Sequence, residues 1–299
     1  MGAGYGVVVS SKPSPMSVNA RNDITDVLSF DIEDWFHIVE VESLADPKTW
    51  PDKESLVERY TEWIVQTVTE AGVSCTFFIL GWVAERYPRL VQLMVEHGHE
   101  VGSHSYWHRK VYELDEPTFR EDMQRSIDVI ESAGGAKVLG FRAPSFSITP
   151  GTEWAFDVLH DLGLKYDASL FPAGRAHGGY PCEEGPHLFT GAPSGKPMLE
   201  LPMSIMRVGP KRIPFSGGGY LRLFPLWMIQ RGFEQQHAKG RPTVIYLHPR
   251  DFAPDCPRVS MPLHRRFKCY VNTRGTKSKL SHLLRRYRFG SCAEVLGVG

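Results

Sequence analysis

Two histidines four residues apart, His104 and His108 in the run H-S-Y-W-H, form the pair in this chain best suited to hold a cation. On one helical turn both imidazoles face the same side and can reach a single ion. To favour a divalent ion such a pair needs a third, anionic ligand, and an open position if water is to be activated. The acidic group Asp31, Glu33 and Asp34 can supply it, with Glu33 or Asp34 as ligand and Asp31 as the general base that takes a proton from water. His248, far along the chain, can donate a proton to a leaving amine.

These groups share one kind of position. The apolar runs Asp26–Phe30, Val73–Leu80 and His99–Ser105 read as strands, as do Val138–Phe141, Lys165–Tyr166 and Pro242–Pro249. Asp31, His104, Arg142, Asp167 and His248 each stand at or just past the end of one of them. Between the strands lie helical patterns at 53–71, 88–97, 117–133, 151–162 and 226–239. In the first, Leu56, Tyr60, Trp63, Ile64, Thr67 and Val68 share a face, and Gly72 closes it. Strands and helices in turn imply parallel β/α units, and in a β/α barrel the C-terminal strand ends share one mouth. Any one of these residues alone is ordinary, since a carboxylate after a strand is usually a helix cap. Their convergence is what predicts a site.

The succession F-D-I-E-D-W (30–35), H-S-Y-W-H (104–108), F-R-A-P-S-F (141–146), Y-D-A-S-L-F-P (166–172) and Y-L-H-P (246–249) resembles the NodB-homology polysaccharide deacetylases, carbohydrate esterase family four. Its details are most similar to the exosortase-associated (PEP-CTERM locus) branch, through the D-x-E-D first motif and the G-G-G-Y segment at 217–220. The resemblance runs from about Val27 to Leu296 and implies a distorted (β/α) barrel. It implies Asp31 as catalytic base, a following carboxylate with His104 and His108 as metal ligands, and Arg142 as the partner of the base. Asp167 is then the residue that tunes the catalytic histidine, and His248 the general acid. Where the family usually has adjacent aspartates, Ile32 intervenes here. Alternation along a strand end places Asp31 and Glu33 on one side, which favours Glu33 over Asp34 as ligand. The activity implied is hydrolysis of N-acetyl groups from the amino sugars of a polysaccharide or lipid-linked glycan, as in exopolysaccharide biosynthesis. A small-substrate amidohydrolase of allantoinase type, or a carbohydrate-binding protein with a degenerate site, are the alternatives. A His, His, carboxylate set suits Zn2+ best and also admits Co2+, Ni2+ or Mn2+.

The rest of the 299-residue chain sets the surroundings. Thirty-four basic and 34 acidic residues cancel, so nothing global points to nucleic acid. Five scattered cysteines without a C-x-x-C pair suit a reducing, cytoplasmic compartment better than a disulfide framework. Residues 1–25 read as a disordered leader and 26–255 as the barrel, with a loop-rich insertion over 171–219 whose clear strand is Leu199–Met203. His177 and His187 fall in that insertion, as surface residues or groove lining. Trp35 and Trp107 flank motifs and could stack on sugar, although core packing is the commoner fate of such residues.

Residues 256–299 form a basic extension packed on the barrel: ten Lys or Arg fall between Arg258 and Arg288, with no acid from Pro257 to Cys292. Within it Lys279–Tyr287 patterns as an amphipathic helix with Leu280, Leu283, Leu284 and Tyr287 on one side. Either those leucines dock on the barrel, or the segment holds the enzyme at an anionic membrane, peripheral at its inner face.

Overall fold

A computed structural model describes residues 24–38, 41–174 and 178–299. The central strand β1 (Thr25–Ile32) is buried almost throughout, as expected of a parallel strand covered on both faces. It leads to α1 (Val57–Glu70), β2 (Thr76–Ile79), α2 (Gly81–Arg86), α3 (Pro88–Glu96) and β3 (Glu100–Ser103). Then come α4 (Glu116–Gly134), β4 (Gly140–Phe141), α5 (Trp154–Asp161) and β5 (Tyr166–Asp167). Strands β6 (His187–Phe189), β7 (Met198–Glu200), β8 (Ile205–Val208) and β9 (Lys211–Pro214) precede α6 (Gly218–Leu223), α7 (Leu226–His237) and β10 (Val244–Leu247). The chain closes with α8 (Leu263–Tyr270), α9 (Thr273–Arg286), β11 (Arg288–Gly290) and α10 (Cys292–Leu296).

The main sheet runs β10-β1-β2-β3-β4-β5-β7-β6, parallel except for the β6–β7 pair, and curls into an open, distorted (β/α) barrel. Residue 1–23 of the expected leader lie outside the described residues, and Thr25 already belongs to β1. Within the loop-rich stretch, β7 is a barrel strand in register with β5, pairing Tyr166 with Leu199 and Asp167 with Glu200. It ends at Glu200, two residues after starting, so the strand expected over Leu199–Met203 is displaced towards its N-terminal side.

Helix α1 starts at Val57 and not at Lys53. The Asp34 carboxylate accepts from the backbone N–H groups of Leu56 and Val57 and from the Ser55 hydroxyl, so the helix begins where a distant side chain satisfies its first donors. Its inward face then carries Val57, Tyr60, Ile64, Val65 and Val68.

The C-terminal segment does more than pack on the barrel. Strand β11 pairs with Thr25–Val27 of β1, and Val27 is flanked by Val244 of β10 and Gly290 of β11. Just beyond, the backbone N–H groups of Cys292 and Ala293 donate to Thr76 Oγ1 and Glu100 Oε2, tying the chain end to β2 and β3. On α9, Leu280 and Leu283 are fully buried, so the leucines of that amphipathic pattern face the protein. Leu280→Ala is therefore expected to cost about 2–5 kcal/mol in urea denaturation, the range for truncating a buried leucine. The exposed Leu263→Ala should stay within about 0.5 kcal/mol of the parent.

Candidate metal centre and active site

At the C-terminal mouth of the sheet, ligand atoms of Glu33, His104 and His108 all lie within 4.8 Å of one another, and all three residues are buried. Glu33 follows the end of β1 and His104 the end of β3. The Nδ1–H of His104 donates to the Arg142 carbonyl oxygen at 2.7 Å, which fixes the tautomer and leaves Nε2 as a free donor atom. Burial lowers the His104 pKa to about 4, so the ring is neutral and ready to ligate. His108 Nε2 stands 2.5 Å from Glu33 Oε2 in a buried contact. Two imidazoles and a carboxylate whose ligand atoms converge on one buried point are the donor set of a divalent ion, so this residue set fits one. Burial alone would raise the Glu33 pKa; the neighbouring His108 and Arg250 outweigh it and hold the carboxyl well below its usual range.

The H-S-Y-W-H run is not a helical turn, as its spacing had suggested. It is a loop in which Ser105 and His108 take left-handed backbone conformations, with φ of 65° and 56°. The His108 N–H donates to Ser105 Oγ, and Asp122 on α4 accepts from the N–H groups of Tyr106 and Trp107. Side chains therefore pay the loop's backbone hydrogen bonds, and the two rings converge through a tight loop.

Asp34 lies apart from the cluster's ligand atoms, spent on capping α1 and on the N–H of Trp35. Asp31 sits beside the cluster, nearly fully buried. Its Oδ1 accepts from Arg142 Nη1 at 2.7 Å, while Oδ2 faces His248 Nε2 at 3.8 Å. Arg142 is itself fully buried; its Nη1 also donates to Ser29 Oγ and its Nε to the Ala168 carbonyl. His248 Nε2 is likewise 3.8 Å from Glu33 Oε1, so the imidazole and the two carboxylates face one small gap.

The partner of His248 differs from the one the motif order implied. Its Nδ1 lies 3.1 Å from Asp251 Oδ2, the same oxygen that accepts the His248 backbone N–H. Asp251 is in turn paired with the buried Arg222 on α6, Nε to Oδ1 at 3.0 Å. Burial pushes the Asp251 carboxyl up, but Arg222 and His248 outweigh it and hold it low. The glycines of G-G-G-Y make room for this chain: a Cβ on Gly218 would stand 1.8 Å from Asp251 Oδ2, and one on Gly217 would strike the Tyr246 ring.

Asp167 instead bonds to the N–H and hydroxyl of Ser169 and faces Glu200 across β5 and β7. Burial raises both carboxyls, Glu200 the further because the Asp167 charge lies beside it. Through Ser169, whose hydroxyl accepts the Ala143 N–H, the pair braces the Arg142 loop.

Sequence reasoning passed over three neighbours. Asp251 was signalled by its place three residues after His248, and Arg222 by the glycine run before it. His37, four residues after Glu33, is buried against Trp50 and Trp82. Its Nδ1 accepts from the Asp34 N–H, and its Nε2 has no partner among the described residues. Trp107 packs against Trp50 and Tyr106, and the Trp35 indole donates to the Glu54 carbonyl. His187 lines a separate cleft of about 530 Å³ with Tyr180, Phe189 and Arg212, and His177 lies outside the described residues.

Residues 49–166 match the family model described as Polysaccharide deacetylase, and residues 168–297 match a Domain of unknown function (DUF3473). Among curated proteins, a peptidoglycan deacetylase-like protein of Gibberella zeae is 33% identical over 95 residues, covering 32% of this chain and 27% of its own. A peptidoglycan-N-acetylglucosamine deacetylase of Bacillus cereus is 27% identical over 120 residues, 36% of this chain and 44% of its own. The matches thus span less than half the length of either relative. Two solved structures share the fold at 17% identity, each covering 96% of this chain and 94% of the other. One is a candidate polysaccharide deacetylase from Mycobacterium smegmatis, at a TM-score of 0.63, and the other is the PuuE allantoinase, at 0.60. The similarity to polysaccharide deacetylases therefore rests on residues 49–166, through the family model and the relatives alike.

The geometry separates the two first-motif carboxylates by experiment. In Zn2+ titrations Glu33→Gln is expected to weaken affinity at least tenfold, the scale for losing a ligand or its close support. Asp34→Asn should leave affinity near the parent's and lower stability by about 0.5–2 kcal/mol, as loss of a cap does. The reverse order would make Asp34 the ligand.

Proposed function

We propose that the protein hydrolyses N-acetyl groups from the amino sugars of a polysaccharide or lipid-linked glycan, with a divalent metal, Zn2+ for preference, held by Glu33, His104 and His108. The observation that carries the reading is the single gap where this trio meets an arginine-held Asp31 on one side and an aspartate-held His248 on the other. When bound, the cation supplies Lewis-acid polarisation of the acetyl carbonyl and lowers the pKa of water towards ~7.

The chain's own residues divide the protons. Arg142 occupies one oxygen of Asp31 and leaves the other to accept a proton from the attacking water. As the water oxygen bonds to the acetyl carbon and the C–N bond breaks, His248 Nε2 delivers a proton to the departing amine. Acetate and a free amino sugar result. Asp251 orients the ring, a role the family pattern had given to Asp167. With ligands, base and acid all present, the chain lacks the mark of a degenerate site. The barrel itself is shared with an allantoinase and does not choose the substrate; the family-model match favours the glycan. The D-x-E-D motif and the glycine run that clears Asp251 support a place in the exosortase-associated branch and a role in exopolysaccharide synthesis. Among the described residues no helix is long and apolar enough to cross a membrane.

Acetate release from chitooligosaccharides should be abolished by a chelator and restored by Zn2+, with no turnover of allantoin; the opposite substrate preference would overturn the reading. Asp251→Asn is expected to lower kcat by about 10²-fold or more, the scale of general acid–base effects. Asp167→Asn should lower it far less, and the reverse order would return the histidine-orienting role to Asp167.

A further inference from the structure

Among its described side chains helix α8 buries none, although its sequence, LHRRFKCY, is amphipathic. Leu263 is 82% exposed and Phe267 56% exposed, one helical turn apart on the same outward face. Arg266 and Lys268 are exposed beside them, whereas Cys269 and Tyr270 are half-buried. Leu223, on the neighbouring α6, is 43% exposed. A soluble surface gains nothing by presenting two large apolar side chains one turn apart on a helix that packs neither. The surrounding chain carries no acid from Pro257 to Cys292, and among the described residues Arg266 and Lys268 make no ion pair, so the face joins apolar side chains to cations. That pairing is the chemistry of an interfacial helix on an anionic bilayer.

We propose that the outward face of α8 docks on anionic membrane, with Leu263 and Phe267 inserted below the headgroups and Arg266 and Lys268 level with the lipid phosphates. The buried leucines of α9 leave that helix to anchor the segment on the barrel while α8 makes the contact. The surface also lies close to the site. The Cys269 carbonyl of α8 accepts from Arg222, the residue that holds Asp251 and through it His248. Docking there would bring the mouth of the barrel near a glycan still attached to the membrane. The binding itself does not depend on the deacetylase reading, because it is measured without substrate.

Full-length protein is sedimented with vesicles of phosphatidylcholine alone and of phosphatidylcholine with phosphatidylglycerol in equal parts. Binding is expected only to the anionic vesicles and to fall steeply with salt, as surface charges are screened beyond about 8–10 Å at physiological ionic strength. The Leu263→Ser/Phe267→Ser variant should bind at least tenfold more weakly, the scale for withdrawing two large apolar side chains from a nonpolar phase. Arg266→Gln/Lys268→Gln should lose roughly fivefold per cation. Both variants alter exposed positions, and an unchanged melting temperature verifies their fold. Failure to bind anionic vesicles at low salt overturns the proposal. So does equal binding by the Leu263→Ser/Phe267→Ser variant, which would mean attraction to polyanions without insertion. If the parent ignores vesicles but is a dimer that the same variant turns into a monomer, a second copy of the chain is the occupant and the proposal fails.

Discussion

A guanidinium with no access to water must be compensated by its neighbours, and Arg142 is such a group at the centre of this barrel. Its side chain neutralises Asp31 and bonds to Ser29 and to the Ala168 carbonyl. Its own backbone carbonyl takes the Nδ1 proton of His104. One residue therefore fixes the charged oxygen of the proposed base and the orientation of a proposed ligand. Removing one partner of such a buried pair typically costs about 3–5 kcal/mol, so the fold and the site share this constraint. In the A-P-S-F loop beyond it, Ser145 and Phe146 take positive φ.

The site is assembled from three stretches that are far apart in the chain. Asp31 on β1 and Glu33 just past its end lie ahead of the region matched to the polysaccharide deacetylase model. His104, His108 and Arg142 come from that region. Arg222, His248 and Asp251 come from the region matched to a domain of unknown function. That second region closes the site electrostatically: Arg222 holds Asp251, which holds His248 opposite the carboxylates of β1. It also returns to the start of the sheet, because β11 pairs with β1 below the mouth. Neither half is a site without the other.

Much of this was legible in the sequence because strand ends are marked locally. An apolar run that stops at Asp31, His104, Arg142 or His248 identifies both the strand and the residue at its mouth. Glu33 could be favoured over Asp34 from alternation alone, and the structure gives the physical complement, since Asp34 is committed to the first turn of α1. What the sequence did not disclose were pairings between distant segments. Whether Asp167 or Asp251 faces His248 depends on how loops cross the barrel mouth, and no periodicity records that. The left-handed residues of H-S-Y-W-H mimic helical spacing, so a tight loop read as a turn of helix. Helix α8 is hard to read for a related reason: one leucine and one phenylalanine four residues apart are too brief a pattern to set a helical period beside the longer repeat of α9.

The most direct test is a crystal structure of the Zn2+-loaded protein with anomalous data at the zinc edge. The account predicts one ion at the mouth of the barrel, about 2.0–2.2 Å from Glu33, His104 Nε2 and His108 Nε2, with Asp31 still paired to Arg142 and outside the ligand set. An ion ligated by Asp34, or by Asp31 with its arginine pair broken, would contradict it.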